Sequence, residues 1–388
     1  MTGRSLEALR MANQRAVTSL LSLGDPLSRA ELARRTGLSS TTVSSLVAQL
    51  MGGGVVEECE GVGLPYKGGS GRPPRLLRLT TRPGLVAGVD AGHHHVRVAI
   101  ADRAANILVE HVAEVDVDPE GQRTLDLVAD MVARAALEAD VRVEQLLGIG
   151  MCVPSPLNRA SHRVSSGILP GWRGLVPAEE LQRRTGLPVI ADNDANVGAI
   201  AEHQHGAARG AADAIYVKAA SGLGAGLILG GRLHRGATGI AGELGHVHVR
   251  EDGRVCRCGS RGCLETEVSA QHLLTILRHA YGDDLDVATM MSLEAEEDPG
   301  VCRVLGDAGR TIGRALADLC TALNPSTIVV GGSIGASPVV RDGIRSALDR
   351  HAHPDSASAV CVVPGQLGAR AEVVGAVTLA IAGLAAAD

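Results

Sequence analysis

The sequence predicts a winged helix-turn-helix followed by a larger α/β body of two lobes. Three observations carry that reading. A capped helical hairpin is written into residues 13–50. After Pro83, strand-like apolar runs alternate with helical stretches. A strand–glycine turn–strand unit occurs twice, around Gly92 and around Ser221-Gly222-Leu223-Gly224, as expected of two related lobes with a cleft between them.

Composition sets the limits. A chain of 388 residues allows two or three domains. Apolar residues make up 45% but aromatic residues only 1%, with no Phe, so the core must be Val, Leu, Ile and Ala. Nucleic-acid reading by aromatic stacking is thereby excluded. The net charge of -6 is unevenly divided: residues 1–82 hold 11 Arg and Lys against 6 Asp and Glu, and the remainder 26 against 37. Only the first part is suited to face a polyanion. No secretory signal is visible, and the apolar tail from Val373 to Ala387 is shorter than a bilayer span of about 20 residues. It reads as a buried helix. Eight cysteines in a long chain of cytoplasmic character argue for metal or free thiols over disulfides.

In the head, Ser28 and Glu31 form the capping-box pattern that opens a helix, and Gly37 closes it. Ser39 or Ser40 caps the next helix. There Val43, Leu46, Val47 and Leu50 fall on one stripe, leaving Thr41, Thr42, Ser44, Ser45 and Gln49 outward. Two short helices around a glycine turn fit a helix-turn-helix whose second helix enters the major groove. Its hydroxyls and amide can read bases, and Arg29, Arg34 and Arg35 can contact phosphates. Runs at Val55–Glu58 and Leu76–Leu79 flank a glycine-rich loop, Gly61 to Gly71, as a wing. Arg72, on the stiff Gly71-Arg72-Pro73 turn, suits a narrow A·T-rich minor groove. An ordinary helical hairpin with surface arginines is the alternative.

In the body, Leu85–Asp90 with Val96–Ala101, and Ile215–Ala219 with Ala225–Leu229, read as strand pairs. Leu125–Glu138 and Val304–Leu323 read as helices, and Thr327–Val330 as a buried strand ending in Gly331-Gly332. His246, Cys256, Cys258 and Cys263 lie within 18 residues and supply three thiolates and one imidazole. Four protein ligands make a closed tetrahedral zinc site, structural in role, with one ion per chain. Disulfide bonding is the competing reading, but Cys256 and Cys258 are too close for an easy bridge.

Asp192-Asn193-Asp194-Ala195-Asn196 follows an apolar run and would place a carboxylate at a strand end, suited to a sugar hydroxyl. Such clusters are also common in plain turns. Glu243 and His246, three residues apart, and Glu265, just beyond the cysteines, add carbohydrate-binding groups. Consecutive His93, His94 and His95 point alternately and cannot converge on one ion. Trp172 reads as a core side chain, and Cys59, Cys152, Cys302, Cys320 and Cys361 as scattered core residues.

With these motifs the chain resembles the ROK family (repressors, open reading frames and kinases), in its regulator branch. The resemblance runs from about Asn13 to the C-terminus. It is carried by Asn193-Asp194-Ala195-Asn196, by Ala241–His246 and by the run from Cys256 to Glu265. It implies a two-lobed actin-like, ribonuclease H-like domain of sugar-kinase type, assembled as homodimers or homotetramers. It implies that Asn193, Asp194, Glu243, His246 and Glu265 hold a sugar, with Asp194 the catalytic base in any active kinase. The family's kinases carry Asp-x-Gly-Gly-Thr at the first phosphate loop, where this chain has Asp90-Ala91-Gly92-His93-His94. A histidine there obstructs close approach of backbone N–H groups to phosphate. A nucleotide-binding remnant persists in Asp90, Gly92, Ser221, Gly222, Gly224, Gly331 and Gly332, but ATP and Mg2+ use is doubtful.

The expectation is a DNA-binding head over 1–82 and a sugar-sensing, zinc-bearing body over 83–388. Together they make a sugar-responsive regulator, a repressor by resemblance, of carbohydrate metabolism genes, acting on a pseudo-palindromic operator through a sugar or sugar phosphate. A bifunctional ATP-dependent sugar kinase that also binds DNA, and a DNA-bound scaffold with a vestigial pocket, are the rivals.

Overall fold

The structure is a computed structural model that describes residues 13–14, 16–21, 25–52, 55–59, 75–79, 84–165 and 167–387. Arg72 and the loop from Gly61 to Gly71 lie outside the described residues.

The head is built as its capping residues dictate. After β1 (Leu27–Ser28), Ser28 accepts the Glu31 backbone N–H at 3.2 Å and opens α1 (Arg29–Thr36). Gly37 takes φ +72° and donates its N–H to the Ala33 carbonyl, a left-handed closure that a Cβ would strain. Ser39 accepts the Thr42 N–H at 3.1 Å and caps α2 (Ser40–Gly52). The stripe of Val43, Leu46, Val47 and Leu50 is buried, together with Leu32 of α1. The two wing strands, β2 (Val56–Cys59) and β3 (Leu76–Leu79), pair antiparallel, and β1 joins the far edge of β3. Leu27, Val56, Leu77 and Leu79 close this core from the sheet side.

The body contains one topology used twice. In the first lobe the strands are β4 (Val86–Ala91), β5 (His95–Ala101), β6 (Ile107–Glu114), β7 (Ile149–Val153) and β8 (Val189–Asn193), in order β6-β5-β4-β7-β8. In the second they are β9 (Ala214–Ala219), β10 (Leu223–Leu229), β11 (Arg232–His234), β12 (Thr327–Gly331) and β13 (Cys361–Pro364), in order β11-β10-β9-β12-β13. Each sheet starts as an antiparallel meander and continues with two parallel strands. The second hairpin is tighter than its sequence suggests, because Leu223 and Gly224 already pair within β10.

The helices interlock the lobes. On the outer face of the first sheet lie α3 (Gly121–Glu138) and α4 (Pro177–Thr185), which bury Leu125, Val128, Val132 and Leu181. Trp172 is fully buried there and donates its Nε1–H to the Val117 carbonyl. Two helices cross between the sheets. The chain leaves β8 directly into α5 (Asp194–His205), whose Ala199 packs with Tyr216 and Val329 of the second sheet. Conversely, α12 (Ala371–Ala387) follows the second sheet and packs Val377 and Ala380 against Val86 of the first. A Cβ at Gly150 would overlap the Ala376 carbonyl, so β7 and α12 approach at backbone distance. The outer face of the second lobe is covered by α7 (Ala270–Tyr281), α8 (Val287–Ala295), α9 (Pro299–Leu323) and α10 (Pro338–His351), the short α11 (Pro354–Ala359) lying beside them. Short α6 (Glu265–Val268) leads into α7. No helix among the described residues is long and apolar enough to cross a membrane.

Candidate effector pocket, metal centre and DNA-reading face

Where β8 runs into α5 and the β9–β10 turn faces the first lobe, a cleft of about 490 Å³ opens. Its lining includes Asn193, Asp194, Glu243, His246 and Glu265, so the five residues named for the sugar meet in one pocket. Local rules put them there. Asn193 caps α5, accepting the Ala195 and Asn196 N–H groups, and Asp194 begins the helix, where the N-terminal dipole favours a carboxylate. Glu265 opens α6 and accepts the Leu223 N–H at 3.0 Å, which anchors the β9–β10 turn to the pocket wall. A Cβ at Gly222 would come within 2.8 Å of the Glu265 carboxylate, so a larger residue there would push that side chain aside. Burial, with Asp194 and Glu265 nearby, raises the Glu243 carboxyl to about 7.

His246, Cys256, Cys258 and Cys263 offer ligand atoms that all lie within 4.8 Å of one another. The Cys258 and Cys263 sulfurs are 3.7 Å apart, and Cys256 Sγ is 3.5 Å from His246 Nδ1. A tetrahedral zinc with ordinary Zn–S and Zn–N bonds separates two sulfurs by about 3.8 Å and a sulfur from a nitrogen by about 3.5 Å. The donor set therefore fits zinc, and all eight cysteines are unbridged. His246 turns Nδ1 toward the thiols and Nε2 toward Glu243, 3.8 Å away. One imidazole thus spans the candidate metal site and the pocket. Of the scattered cysteines, Cys152 and Cys320 are buried, but Cys361 at the edge strand β13 is exposed, contrary to a core position.

The altered first loop has its own partners. His93 meets Asp118 at 2.5 Å and His95 meets Asp90 at 2.8 Å, while His94 is exposed, so the three imidazoles diverge. Gly92, Ser221, Gly222 and Gly224 line the cleft, but Gly331 and Gly332 do not, and Asp90 is buried beneath it. Asp118 also accepts Arg257 from the cysteine-bearing loop at 2.8 Å, so this loop of the second lobe touches the rim of the first. Burial works to raise the Asp118 carboxyl, but His93 and Arg257 outweigh it and hold it below the usual range.

The pocket floor contains a residue that motif reading passed over. Lys218 of β9 places Nζ 2.9 Å from Asp194 and 3.4 Å from Glu372 of α12. Burial disfavours its charge, but Asp194, Glu372 and Asp90 outweigh that cost and push its pKa well above the usual value. A lysine inside the apolar run Ala-Ile-Tyr-Val-Lys-Ala was the available signal.

On the head, Thr41, Ser44, Ser45 and Gln49 are exposed along α2 and Thr42 is half-buried. Glu31 does not reach back to complete a reciprocal capping box. It pairs with Arg34 at 2.8 Å and Arg35 at 2.9 Å. Arg29 pairs with Glu58 of the wing at 3.2 Å, and Arg75 pairs with the same carboxylate.

The ROK family model matches residues 86–382, and the IclR helix-turn-helix domain model matches residues 18–58. The chain is 29% identical to the xylose repressor of Bacillus spizizenii over 379 residues, covering 96% of each protein. It is 31% identical to the glucokinase of Streptomyces coelicolor over 316 residues, 76% of this chain and 98% of that enzyme. A crystal structure of a ROK family transcriptional regulator, a homologue of the E. coli MLC protein, superposes with a TM-score of 0.80 at 22% identity, covering 97% of each chain.

Proposed function

This chain belongs to the ROK family, and we propose that it works as a sugar-responsive, DNA-binding transcriptional repressor. One observation carries the reading. A helix-turn-helix head and a pocket of converging carboxylates and amides occur in a single chain that aligns end to end with a named xylose repressor. A second protein with only the body's fold would bind or phosphorylate sugar, but it would have no means of reading DNA.

Residues 1–82 form the DNA-reading unit and 83–388 the effector unit. Thr41, Thr42, Ser44, Ser45 and Gln49 face the major groove, Arg29, Arg34 and Arg35 border the phosphates, and Arg72 on the wing enters the minor groove. Asn193, Asp194, Glu243, His246 and Glu265 hold the sugar. One zinc per chain is held by His246, Cys256, Cys258 and Cys263; bound there, it supplies structural cross-linking rather than a Lewis acid, because no fifth position is free. The imidazole then keeps Nε2 toward the pocket, and Glu243 lies beside it. The protein acts in the cytoplasm, where thiols stay reduced. It binds a pseudo-palindromic operator as a homo-oligomer, so that two heads read two half-sites.

Sugar in the cleft favours one arrangement of the lobes and so alters the spacing of the heads. It acts only through its different affinity for the two arrangements. A ~100-fold loss of operator affinity needs ~2.7 kcal/mol of coupling, within reach of a few hydroxyl hydrogen bonds. A gel shift on the DNA upstream of the gene, repeated with xylose, glucose, N-acetylglucosamine and their phosphates, tests this. One of them should release the DNA; a complex unmoved by any sugar would defeat the reading.

A further inference from the structure

The chain has 35 arginines but only two lysines, Lys67 and Lys218, and Lys218 lies half-buried at the base of the pocket. Arginine serves for surface cations throughout, so a lysine here answers a local need: a compact point charge on a flexible stem. Its surroundings are acidic. Asp194 and Glu372 lie within hydrogen-bonding or ion-pair distance of Nζ, and Asp90 adds to their field. Glu372 in turn accepts the Tyr216 hydroxyl at 3.2 Å, from the residue two before Lys218 on the same face of β9.

Two of the carboxylates around Lys218, Asp194 and Asp90, are mostly occupied by the protein's own donors. Asp194 Oδ1 accepts Asn193 Nδ2 at 3.0 Å and the Ala195 N–H at 2.8 Å, and Oδ2 accepts Lys218. Of about four lone-pair positions on a carboxylate, one is left for a sugar hydroxyl. Asp90 Oδ2 meets His95, and Oδ1 accepts the Cys152 thiol at 3.3 Å.

We propose that Lys218 is the resident cation of this pocket. Its ammonium pairs with Asp194 and Glu372, while burial raises the Glu372 carboxyl and His95 takes Asp90, so the pocket takes a sugar without recruiting a divalent metal or a metal–nucleotide. The carboxylate that oxygen-seeking cations such as Mg2+ or Mn2+ would need, Asp194, is already engaged by an internal ammonium. The sugar part of this inference rests on the proposed function; the charge balance does not.

The test is Mn2+ binding to the full-length, zinc-loaded protein, read from the loss of the free-ion electron paramagnetic resonance signal. Mn2+ prefers oxygen donors and leaves the thiolate site alone. Wild-type protein should show no site tighter than millimolar. Lys218→Met should open one at least 10-fold tighter, with a Mn2+-dependent rise in Tm absent from the wild type. Lys218→Gln, which keeps an N–H donor without the charge, should do the same. Lys218→Met/Asp194→Asn should lose the new site. Because no sugar is present, a failed sugar response leaves this result standing. If both single variants fail to fold and the double variant folds, charge balance is again upheld. Folded single variants without a new Mn2+ site, or three variants that all fail to fold, would overturn the proposal and make Lys218 a packing residue.

Discussion

Cys258 is the sharpest place to perturb the metal centre. It is the exposed member of the ligand set, whereas Cys256 and Cys263 are buried. Cys258→Ser therefore leaves no cavity and buries no new hydroxyl, and its effect isolates coordination. Structural zinc in four-ligand sites contributes roughly 10–16 kcal/mol, so removing one of four ligands costs roughly 3–4 kcal/mol, on the order of 10²–10³-fold in zinc affinity. The loop has backbone hydrogen bonds and surface arginine contacts of its own, but little apolar packing. Val247, Val249 and Val255 are 44%, 38% and 67% exposed, and two isolated bridges, His248 with Cys263 and Val255 with Arg261, supply its only β pairing among the described residues. Loss of the ion should raise amide hydrogen exchange across residues 247–262 and weaken sugar binding through His246, while Tm changes little because both sheet cores lie elsewhere. Elemental analysis, hydrogen exchange and calorimetry with the active sugar measure the three effects. Full zinc retention in Cys258→Ser, or zinc loss with unchanged protection of the loop, would refute the reasoning.

Three further outcomes follow from packing and charge. Leu50→Ala removes a side chain 2% exposed in a head core with 11 buried residues among those described, at a cost of about 2–5 kcal/mol; operator binding should be lost at 37 °C while sugar binding persists, and an intact gel shift would contradict this. Gly150→Ala forces a methyl into the Ala376 carbonyl and should cost about 1–3 kcal/mol, read as a lower Tm of the body; an unchanged Tm would mean that β7 and α12 are not in backbone contact. A double-mutant cycle on Asp118→Asn and Arg257→Ala should give a sugar-binding coupling of about 0.2–1 kcal/mol, since Arg257 is 56% exposed and screened; a coupling of zero would show that the rim contact takes no part in closure.

What was legible in the sequence was local. Ser28 and Gly37 announce the ends of α1 because capping chemistry is a matter of three or four neighbouring residues. The stripe of Val43 to Leu50 announces its buried face for the same reason. His246 and the three cysteines lie close enough in the chain that spacing alone suggested their meeting. The misses are long-range or competitive. Glu31 had two candidate partners, the backbone behind it and the arginines ahead, and the arginines took it. The Asp118–Arg257 pair joins residues 139 positions apart, and nothing in either segment signals the other. Lys218 left a visible trace as a charge in an apolar strand, yet its partners come from β8–α5 and α12, which only the fold brings together.

The central claim is that occupancy of the carboxylate pocket sets the grip of the head on DNA. Fluorescence anisotropy with labelled operator, titrated with and without the active sugar, tests it in wild type and in Glu265→Gln. The account predicts equal operator affinity for both without sugar, a ~100-fold loss for wild type with sugar, and almost none for the variant. A variant that releases the operator as readily as wild type at the same sugar concentration would contradict it.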